Sequence, residues 1–286
     1  MRINTVIIGA QKCATTSLGH YLAQHPEVCL PKIASSRAAP HPFDLSPGST
    51  TSEGPIAETA DAANYTGQKI VLQKRPLWIY DPKYAENIAA YNPDAKLIAV
   101  LRNQADRAFA HWRHNVRKGR EARAFTQALA REPRRIARNA YFQQHFSYLD
   151  RGYYAAQLDR FAEHFPAESI LLFTFDELVR EPQATCDRAL DFLGLPRQQI
   201  DASTRFNENP YELRSQALAW PLYALNFVMT DDSRSLHRLR SRLHGRFNLH
   251  RATERPVIDN DLKSQIMARF ENENTYLAER WKIEIH

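Results

Sequence analysis

The chain has 286 residues, 43% of them hydrophobic and 24% charged, which allows a sizeable buried core and argues against a disordered chain. The formal charge of +6 suits anionic ligands, but the excess is too small and too dispersed to indicate nucleic-acid binding. Three widely spaced cysteines argue against a disulfide framework and a zinc site. The N-terminal apolar run of about five residues is far short of a signal peptide or a membrane span. We therefore expect one cytoplasmic domain over residues 1–286.

The chain is predicted to open with a strand, a tight loop and a helix. Residues 3–9 form a β-branched run that ends in Gly9, which predicts a buried strand. Residues 15–25 carry apolar side chains at helical spacing. Residues 34–64 are dominated by Ala, Ser, Pro, Thr and Gly with little periodicity, which indicates a long functional or mobile loop.

Strands and helices alternate further along the chain. Apolar runs predict strands at 69–73, 96–101 and 169–175. Helical patterns cover residues 104–117, 123–146, 153–165 and 182–193. Beyond about residue 205 we expect mostly helix, with a basic segment from Arg234 to Arg255. The alternation predicts an α/β fold in which a parallel β-sheet is flanked by helices.

The segment GAQKCATTSL, from Gly9 to Leu18, joins the first strand to the first helix. Backbone N–H groups and the helix dipole at such a junction form an anion site, to which Lys12 adds a positive charge. The hydroxyl groups of residues 15–17 add donors. The loop lacks the Gly-Lys pair of a Walker A motif, which disfavours a nucleoside triphosphatase. The alternative interpretation is a plain N-cap with spare hydroxyl groups.

Gly-x-x-Lys-x-x-Thr-Thr-Ser-Leu after a first strand resembles the 5′-phosphosulfate loop of sulfotransferases that use 3′-phosphoadenosine 5′-phosphosulfate (PAPS). Ala14 stands where many members have glycine. Five further stretches resemble motifs of that family: QKRPLWIY (73–80), LRNQADRAFAHW (101–112), RGYYAAQLDRF (151–161), FDELVREPQATCDRALDFLGLP (175–196) and ENENTYLAERW (271–281). The chain most resembles the glycan-modifying, heparan-sulfate-type branch in a bacterial-like form. The resemblance implies a P-loop NTPase-like three-layer sandwich with a helical C-terminal part.

The resemblance also implies the reaction, which is sulfuryl transfer from PAPS to a hydroxyl or amine of an acceptor, expected to be a carbohydrate. No metal is expected. The residues implied to bind the nucleotide are Gln11, Lys12, Cys13, Ala14, Thr15, Thr16, Ser17, Arg102 and Arg251. Lys12 is the candidate for neutralising the leaving phosphate oxygen. Lys74 is implied to lie on the acceptor side of the sulfate, with a solvated strand-end lysine as the alternative.

Arg102 matches the arginine that binds the 3′-phosphate in the family, and arginine suits bidentate phosphate contacts. The alternative for Arg102 is an ion pair with Asp106, one helical turn on. Ala110 stands where the family usually has a serine, so one hydroxyl contact is expected to be missing. Arg251 is the candidate for a basic residue that closes over the nucleotide from the C-terminal part.

The catalytic base is the least defined position. Glycan sulfotransferases carry a Glu-x-His-Phe-Phe element, and the matching stretch here begins at Ala39, so the glutamate is replaced. His41 is retained and is a competent base near neutral pH. Asp44 is the alternative carboxylate, and a loop histidine without a catalytic role is the alternative for His41.

Two other functions remain open from the sequence. Ala39 and Ala110 allow a PAPS- or nucleotide-binding pseudoenzyme, which would bind without transferring. An atypical P-loop kinase would need Mg²⁺ held by a loop hydroxyl and an acidic partner, and no acidic residue follows a strand at the right place. Dependence on magnesium would distinguish the kinase.

Overall fold

A computed structural model describes residues 2–31, 43, 64–204, 211–224, 242–251 and 256–286. These residues group into two compact units. Unit 1 comprises Met1–Arg102, Tyr154–Asn207 and Asn272–His286. Unit 2 comprises Asn103–Tyr153 and Glu208–Glu271. None of the helices in these ranges combines the length and the hydropathy that crossing a membrane would need.

Unit 1 contains a five-stranded parallel sheet. Its strands are β1 (Thr5–Gly9), β2 (Val28–Cys29), β3 (Ile70–Lys74), β4 (Lys96–Leu101) and β5 (Ile170–Thr174), in the order β2-β3-β1-β4-β5. Thr5 pairs with Leu72 on one side and Lys96 on the other. Because all five strands are parallel, their carboxyl ends share one edge of the sheet. The predicted α/β fold with a parallel sheet flanked by helices is confirmed.

The helices with defined bounds are, in chain order, α1 (Thr15–Leu22), α2 (Lys83–Tyr91), α3 (Gln104–Arg117), α4 (Phe125–Ala130), α5 (Glu132–Ile136), α6 (Ala140–Phe146), α7 (Tyr154–Ala162), α8 (Phe175–Arg180), α9 (Pro182–Leu193), α10 (Gln216–Ala224), α11 (Asn260–Ala268) and α12 (Glu271–Trp281). Residues 242–247 are also helical. Asn103 caps α3 by accepting a hydrogen bond from the Asp106 N–H at 3.1 Å. Thr174 and Glu177 form a reciprocal capping box at α8.

The single helix predicted at 123–146 is instead three short helices, α4, α5 and α6. Pro133 lies in the first turn of α5, where its missing N–H costs nothing and where a preceding helix must end. Asn139 then caps α6 through its side chain, which accepts a hydrogen bond from the Phe142 N–H. These two signals override the continuous helical periodicity of the segment.

The core of unit 1 covers the sheet. Val6, Ile7 and Ile8 of β1 are fully buried, as is most of β4. A central strand such as β1, which is buried along its whole length, is typical of a parallel sheet covered on both faces.

Unit 2 has an aromatic core and a buried polar network. The Arg135 guanidinium donates to both carboxylate oxygens of Glu121, at 2.5 and 3.1 Å, and to the Tyr223 hydroxyl at 3.0 Å. The Tyr148 hydroxyl donates to Glu121 at 3.2 Å. This pairing compensates the desolvation of a buried charge. Unit 2 also contains a two-stranded antiparallel ladder of β6 (Tyr211–Leu213) and β7 (Leu249–Arg251), which the sequence did not predict.

Candidate active site

The loop between β1 and α1 adopts a backbone that favours anion binding. Lys12 and Ala14 both lie in the left-handed region, with φ of 71° and 58°. Helix α1 starts at Thr15, and its first N–H groups point out of the helix end rather than to carbonyls within it. Alternating right- and left-handed residues turn successive N–H groups toward one concavity. Of the three hydroxyl residues, Thr15 and Ser17 are buried and Thr16 is half-buried. The local backbone therefore supports the predicted phosphate loop.

Gly9 seats this loop on the rest of unit 1. A Cβ atom at Gly9 would lie 2.3 Å from Cγ2 of Ile79, so no larger residue fits there. The N–H of Ile79 donates to the Ile8 carbonyl at 2.9 Å, and the N–H of Ala10 donates to the Val100 carbonyl in β4 at 2.8 Å. The loop is thus held between the turn after β3 and the end of β4.

Arg102 lies directly beside the phosphate loop. Its Nη1 donates to the carbonyl oxygen of Lys12 at 3.4 Å, and its guanidinium carbon lies 4.1 Å from the centroid of the Phe175 ring. The Tyr154 hydroxyl donates to the Arg102 carbonyl at 2.9 Å, which fixes the backbone where β4 ends. Such a cation–π contact holds a guanidinium in place without neutralising it.

Asp106, the residue that the alternative interpretation pairs with Arg102, lies in unit 2. Within unit 2, the Asp106 carboxylate accepts a 2.9 Å salt bridge from Lys263. Sequence reasoning missed Phe175 as the partner of Arg102. Phe175 directly follows β5, and the pairing of β5 with β4, which local sequence patterns do not give, brings the carboxyl ends of the two strands together.

Lys74 ends β3, and its side chain crosses helix α1 at Gly19. A Cβ atom at Gly19 would lie 2.7 Å from Cδ and 3.2 Å from Cε of Lys74, so the glycine makes room for the lysine stem. Partial burial lowers the pKa of Lys74. The neighbouring His20 has a pKa lowered by burial and then by the charge of Lys74. Lys74 is thus half-buried, between full burial and full solvation.

Three cations thus follow three adjacent strands. Lys12 follows β1, Lys74 ends β3 and Arg102 follows β4, and these strands are neighbours in the order β3-β1-β4. Ligand sites in parallel α/β sheets form at this carboxyl edge. The remaining predicted residues are distributed as follows: Gln11, Cys13, Ala14, Thr15, Thr16 and Ser17 lie in the loop and first turn, Ala110 lies in α3 of unit 2, Arg251 ends β7 of unit 2, and Ala39, His41 and Asp44 lie outside the described residues.

Two curated proteins that act on heparan sulfate are similar to this chain in sequence. A human heparan sulfate glucosamine 3-O-sulfotransferase 3B1 is 28% identical over 205 residues, covering 71% of this chain and 49% of that protein. A bifunctional heparan sulfate N-deacetylase/N-sulfotransferase 1 from Caenorhabditis briggsae is 27% identical over 211 residues, covering 71% of this chain and 24% of that protein. The chain therefore spans about half, or less, of the length of these curated relatives.

A crystal structure of a sulfotransferase from Alicyclobacillus acidocaldarius superposes with a TM-score of 0.66 at 25% identity, covering 98% of this chain and 95% of that one. The family model described as the sulfotransferase domain matches residues 2–211, which include β1 to β5, the phosphate loop, Lys74 and Arg102. A match over this share of the sequence decides the family. This chain belongs to the sulfotransferase domain family.

Proposed function

We propose that this enzyme transfers a sulfuryl group from PAPS to a hydroxyl or amine of a carbohydrate, and releases adenosine 3′,5′-bisphosphate. The observation that supports PAPS as the sulfuryl donor is the contact between Arg102 and the phosphate loop at Lys12. A nucleotide with phosphates at both its 5′ and 3′ positions suits two anion sites that lie side by side. The carbohydrate acceptor is supported by the names of the heparan sulfate relatives.

The reaction breaks a bond between sulfur and a phosphate oxygen and forms a bond between sulfur and the acceptor oxygen or nitrogen. The backbone N–H groups of residues 13–17 hold the 5′-phosphate, and the Lys12 ammonium neutralises the charge that grows on the leaving oxygen. Lys74 lies on the acceptor side and stabilises the sulfate oxygens. Its lowered pKa reflects partial desolvation, which strengthens its attraction for an anion. Alignment and positive charge supply most of the catalysis in this scheme.

The acceptor proton leaves to a base on the acceptor side, for which we propose His41. The family glutamate is replaced by Ala39, and Asp44 is the second candidate; all three positions lie outside the described residues. A histidine base makes activity rise through about pH 6–7, near its unperturbed pKa. The rise should disappear in a His41→Ala variant if His41 is the base.

Buried thiols at all three cysteines, which lie within the described ranges, suit a reducing compartment. We therefore propose that the enzyme works in the cytoplasm. Cell fractionation followed by thiol alkylation tests this proposal. The protein should be recovered in the cytoplasmic fraction with its cysteines reduced.

The donor is tested by comparing nucleotides. Adenosine 3′,5′-bisphosphate at about 100 times its dissociation constant should add about 2.7 kcal/mol to the free energy of unfolding, and ATP at the same concentration much less. Equal melting-temperature shifts would contradict a paired 5′- and 3′-phosphate site. Incubation with ³⁵S-labelled PAPS and either heparan sulfate or chitosan oligosaccharides then tests transfer, with and without magnesium.

The same experiment separates the alternatives. Nucleotide binding without label on any acceptor would favour the pseudoenzyme, which the replacements at Ala39 and Ala110 motivate. Transfer of phosphate from ATP that requires magnesium would favour the kinase.

A further inference from the structure

The guanidinium of Arg102 lies over the aromatic ring of Phe175. Its central carbon is 4.1 Å from the ring centroid, a distance well within the range of a cation–π contact. Phe175 is half-buried, so the contact is partly shielded from water, which strengthens it. A cation–π contact is made through the charge of the guanidinium and does not require its N–H donors. The contact therefore does not compete with hydrogen bonds from Arg102 to a phosphate.

The pairing of β4 with β5 places these two residues side by side. Leu101, the last residue of β4, pairs with Thr174, the last residue of β5. Arg102 and Phe175 are the next residues of two parallel strands, so they leave the sheet at the same level. Thr174 accepts a 3.1 Å hydrogen bond from the Glu177 N–H, and the Glu177 carboxylate accepts one from the Thr174 N–H at 2.6 Å. Because Phe175 is the first residue of α8, this capping box fixes the main chain that carries the ring.

Two further contacts restrain Arg102. The hydroxyl of Tyr154, a fully buried residue, donates to the Arg102 carbonyl at 2.9 Å and fixes the main chain. Nη1 of Arg102 donates to the Lys12 carbonyl at 3.4 Å, which is long for an N–H···O hydrogen bond and restrains the guanidinium only weakly. The ring of Phe175 adds a second restraint on the guanidinium, beside the phosphate loop.

We propose that Phe175 is a positioning residue that holds the Arg102 guanidinium for the 3′-phosphate, and so makes the protein prefer nucleotides that carry this phosphate. Arg102 binds the 3′-phosphate in the proposed function, on which this inference rests. An arginine loses rotamer freedom when it binds an anion, and a side chain that is already restrained loses less. The gain is confined to ligands that Arg102 contacts. A nucleotide without a 3′-phosphate should therefore bind equally well with or without the ring.

Phe192 of α9 provides a matched control at the other end of β4. The Nζ of Lys96, the first residue of β4, lies 5.2 Å from the centroid of the Phe192 ring. Phe192 is half-buried, as Phe175 is. Lys96 lies at the amino end of β4, whereas the phosphate loop follows the carboxyl end of the parallel strand β1. Loss of the Phe192 ring thus removes a cation–π contact from the same strand without touching the proposed site.

The experiment measures by calorimetry the dissociation constants of adenosine 3′,5′-bisphosphate and of adenosine 5′-phosphate, which lacks only the 3′-phosphate. Phe175→Leu removes the ring and keeps an apolar side chain. The bisphosphate should bind this variant about three- to tenfold more weakly, and adenosine 5′-phosphate should stay within about twofold of the wild type. Phe175→Tyr keeps the aromatic face and should bind the bisphosphate within about twofold of the wild type. In Phe192→Leu both constants should stay within about twofold of the wild type, because the site is distant from that contact.

A double-mutant cycle with Arg102→Ala tests whether the ring acts through the guanidinium. In the Arg102→Ala background, Phe175→Leu should change bisphosphate affinity by no more than about twofold, because the partner of the ring is already absent. A further loss as large as in the wild-type background would overturn the proposal. Equal weakening of the two nucleotides in Phe175→Leu would also overturn it, since a contact with the base or a loosened fold would have that effect. If Phe175→Leu does not fold, Phe175→Met also removes the ring and keeps an apolar side chain, and the same comparison applies.

The wild-type measurement separates the role of Phe175 from the proposed function. A wild-type protein that binds the two nucleotides equally would contradict the 3′-phosphate site, and the role of Phe175 would fall with it. A wild-type protein that prefers the bisphosphate, together with a Phe175→Leu variant that keeps the whole preference, would overturn the role of Phe175 alone.

Discussion

Replacing Ala14 by glycine should stabilise the protein. Ala14 precedes α1 with φ of 58° and ψ of 20°, a left-handed conformation that costs a residue with a Cβ about 1–2 kcal/mol. Glycine removes that cost, but it adds about 0.5–1 kcal/mol through the greater freedom of the unfolded chain. The net gain in the free energy of unfolding should be about 0.5–1 kcal/mol. This strain also gives a physical reason for the glycine that many family members have at the matching position.

The gain is measurable by thermal and urea denaturation, as a rise of about 1–3 °C in melting temperature. Ala23 provides the control, because it ends the same helix with φ of −70° and ψ of −3°, where there is no strain to relieve. Ala23→Gly should therefore destabilise the protein by up to about 1 kcal/mol. If Ala14→Gly lowered the stability as much as Ala23→Gly, the argument from backbone strain would be wrong.

Three further perturbations address the site and unit 2. Lys12→Ala should abolish transfer, whereas Arg102→Ala should mainly weaken adenosine 3′,5′-bisphosphate binding in calorimetry, because its phosphate does not react; unchanged affinity in Arg102→Ala would contradict the 3′-phosphate site. Gly19→Ala should stabilise α1 by up to about 1 kcal/mol but displace the stem of Lys74. This displacement should lower kcat with little change in nucleotide affinity. An unaltered kcat would show that transfer does not depend on the position of the Lys74 side chain. Burial raises the pKa of Glu132 from 4.5 to about 7, so the folded state holds this proton more tightly than the unfolded state. The free energy of unfolding should then fall, by up to about 3 kcal/mol, as the pH rises from about 4.5 to above 7, and Glu132→Gln should flatten this dependence in urea denaturation; an equal slope in the variant would assign it to other groups.

The elements of unit 1 that have a clear apolar pattern or clear end signals in the sequence were predictable. The strand at 96–101 and the helix at 182–193 match β4 and α9 to the residue, because an apolar run and a helix between Pro182 and Gly194 leave few alternatives. The phosphate loop was predictable because the strand, the loop and the helix are contiguous in sequence. The resemblance implied that Arg102 binds the same nucleotide as this loop, and the shared carboxyl edge of parallel strands accounts for their proximity in the structure.

Features that depend on tertiary contact were not predictable. The stacking of Arg102 on Phe175 requires the pairing of β4 with β5, and the order of strands is not encoded in local periodicity. The hydrogen bond from Asn87 to the Phe43 carbonyl joins two residues that are 44 positions apart, and no local pattern links them. The two-residue strand β2 was missed because so short a run carries no period.

The position of three cationic residues at the carboxyl ends of β3, β1 and β4 has a consequence for folding. Lys12, Lys74 and Arg102 are far apart in sequence, and they meet only when the strands that carry them have paired. In the site proposed above, a chain with an unpaired β3 or β4 would leave the anion site incomplete, so the nucleotide would bind the paired sheet and shift the folding equilibrium toward it. Bound nucleotide should accordingly slow amide exchange along all three strands together, and not only in the loop that touches it, because opening any one of them dismantles the whole site.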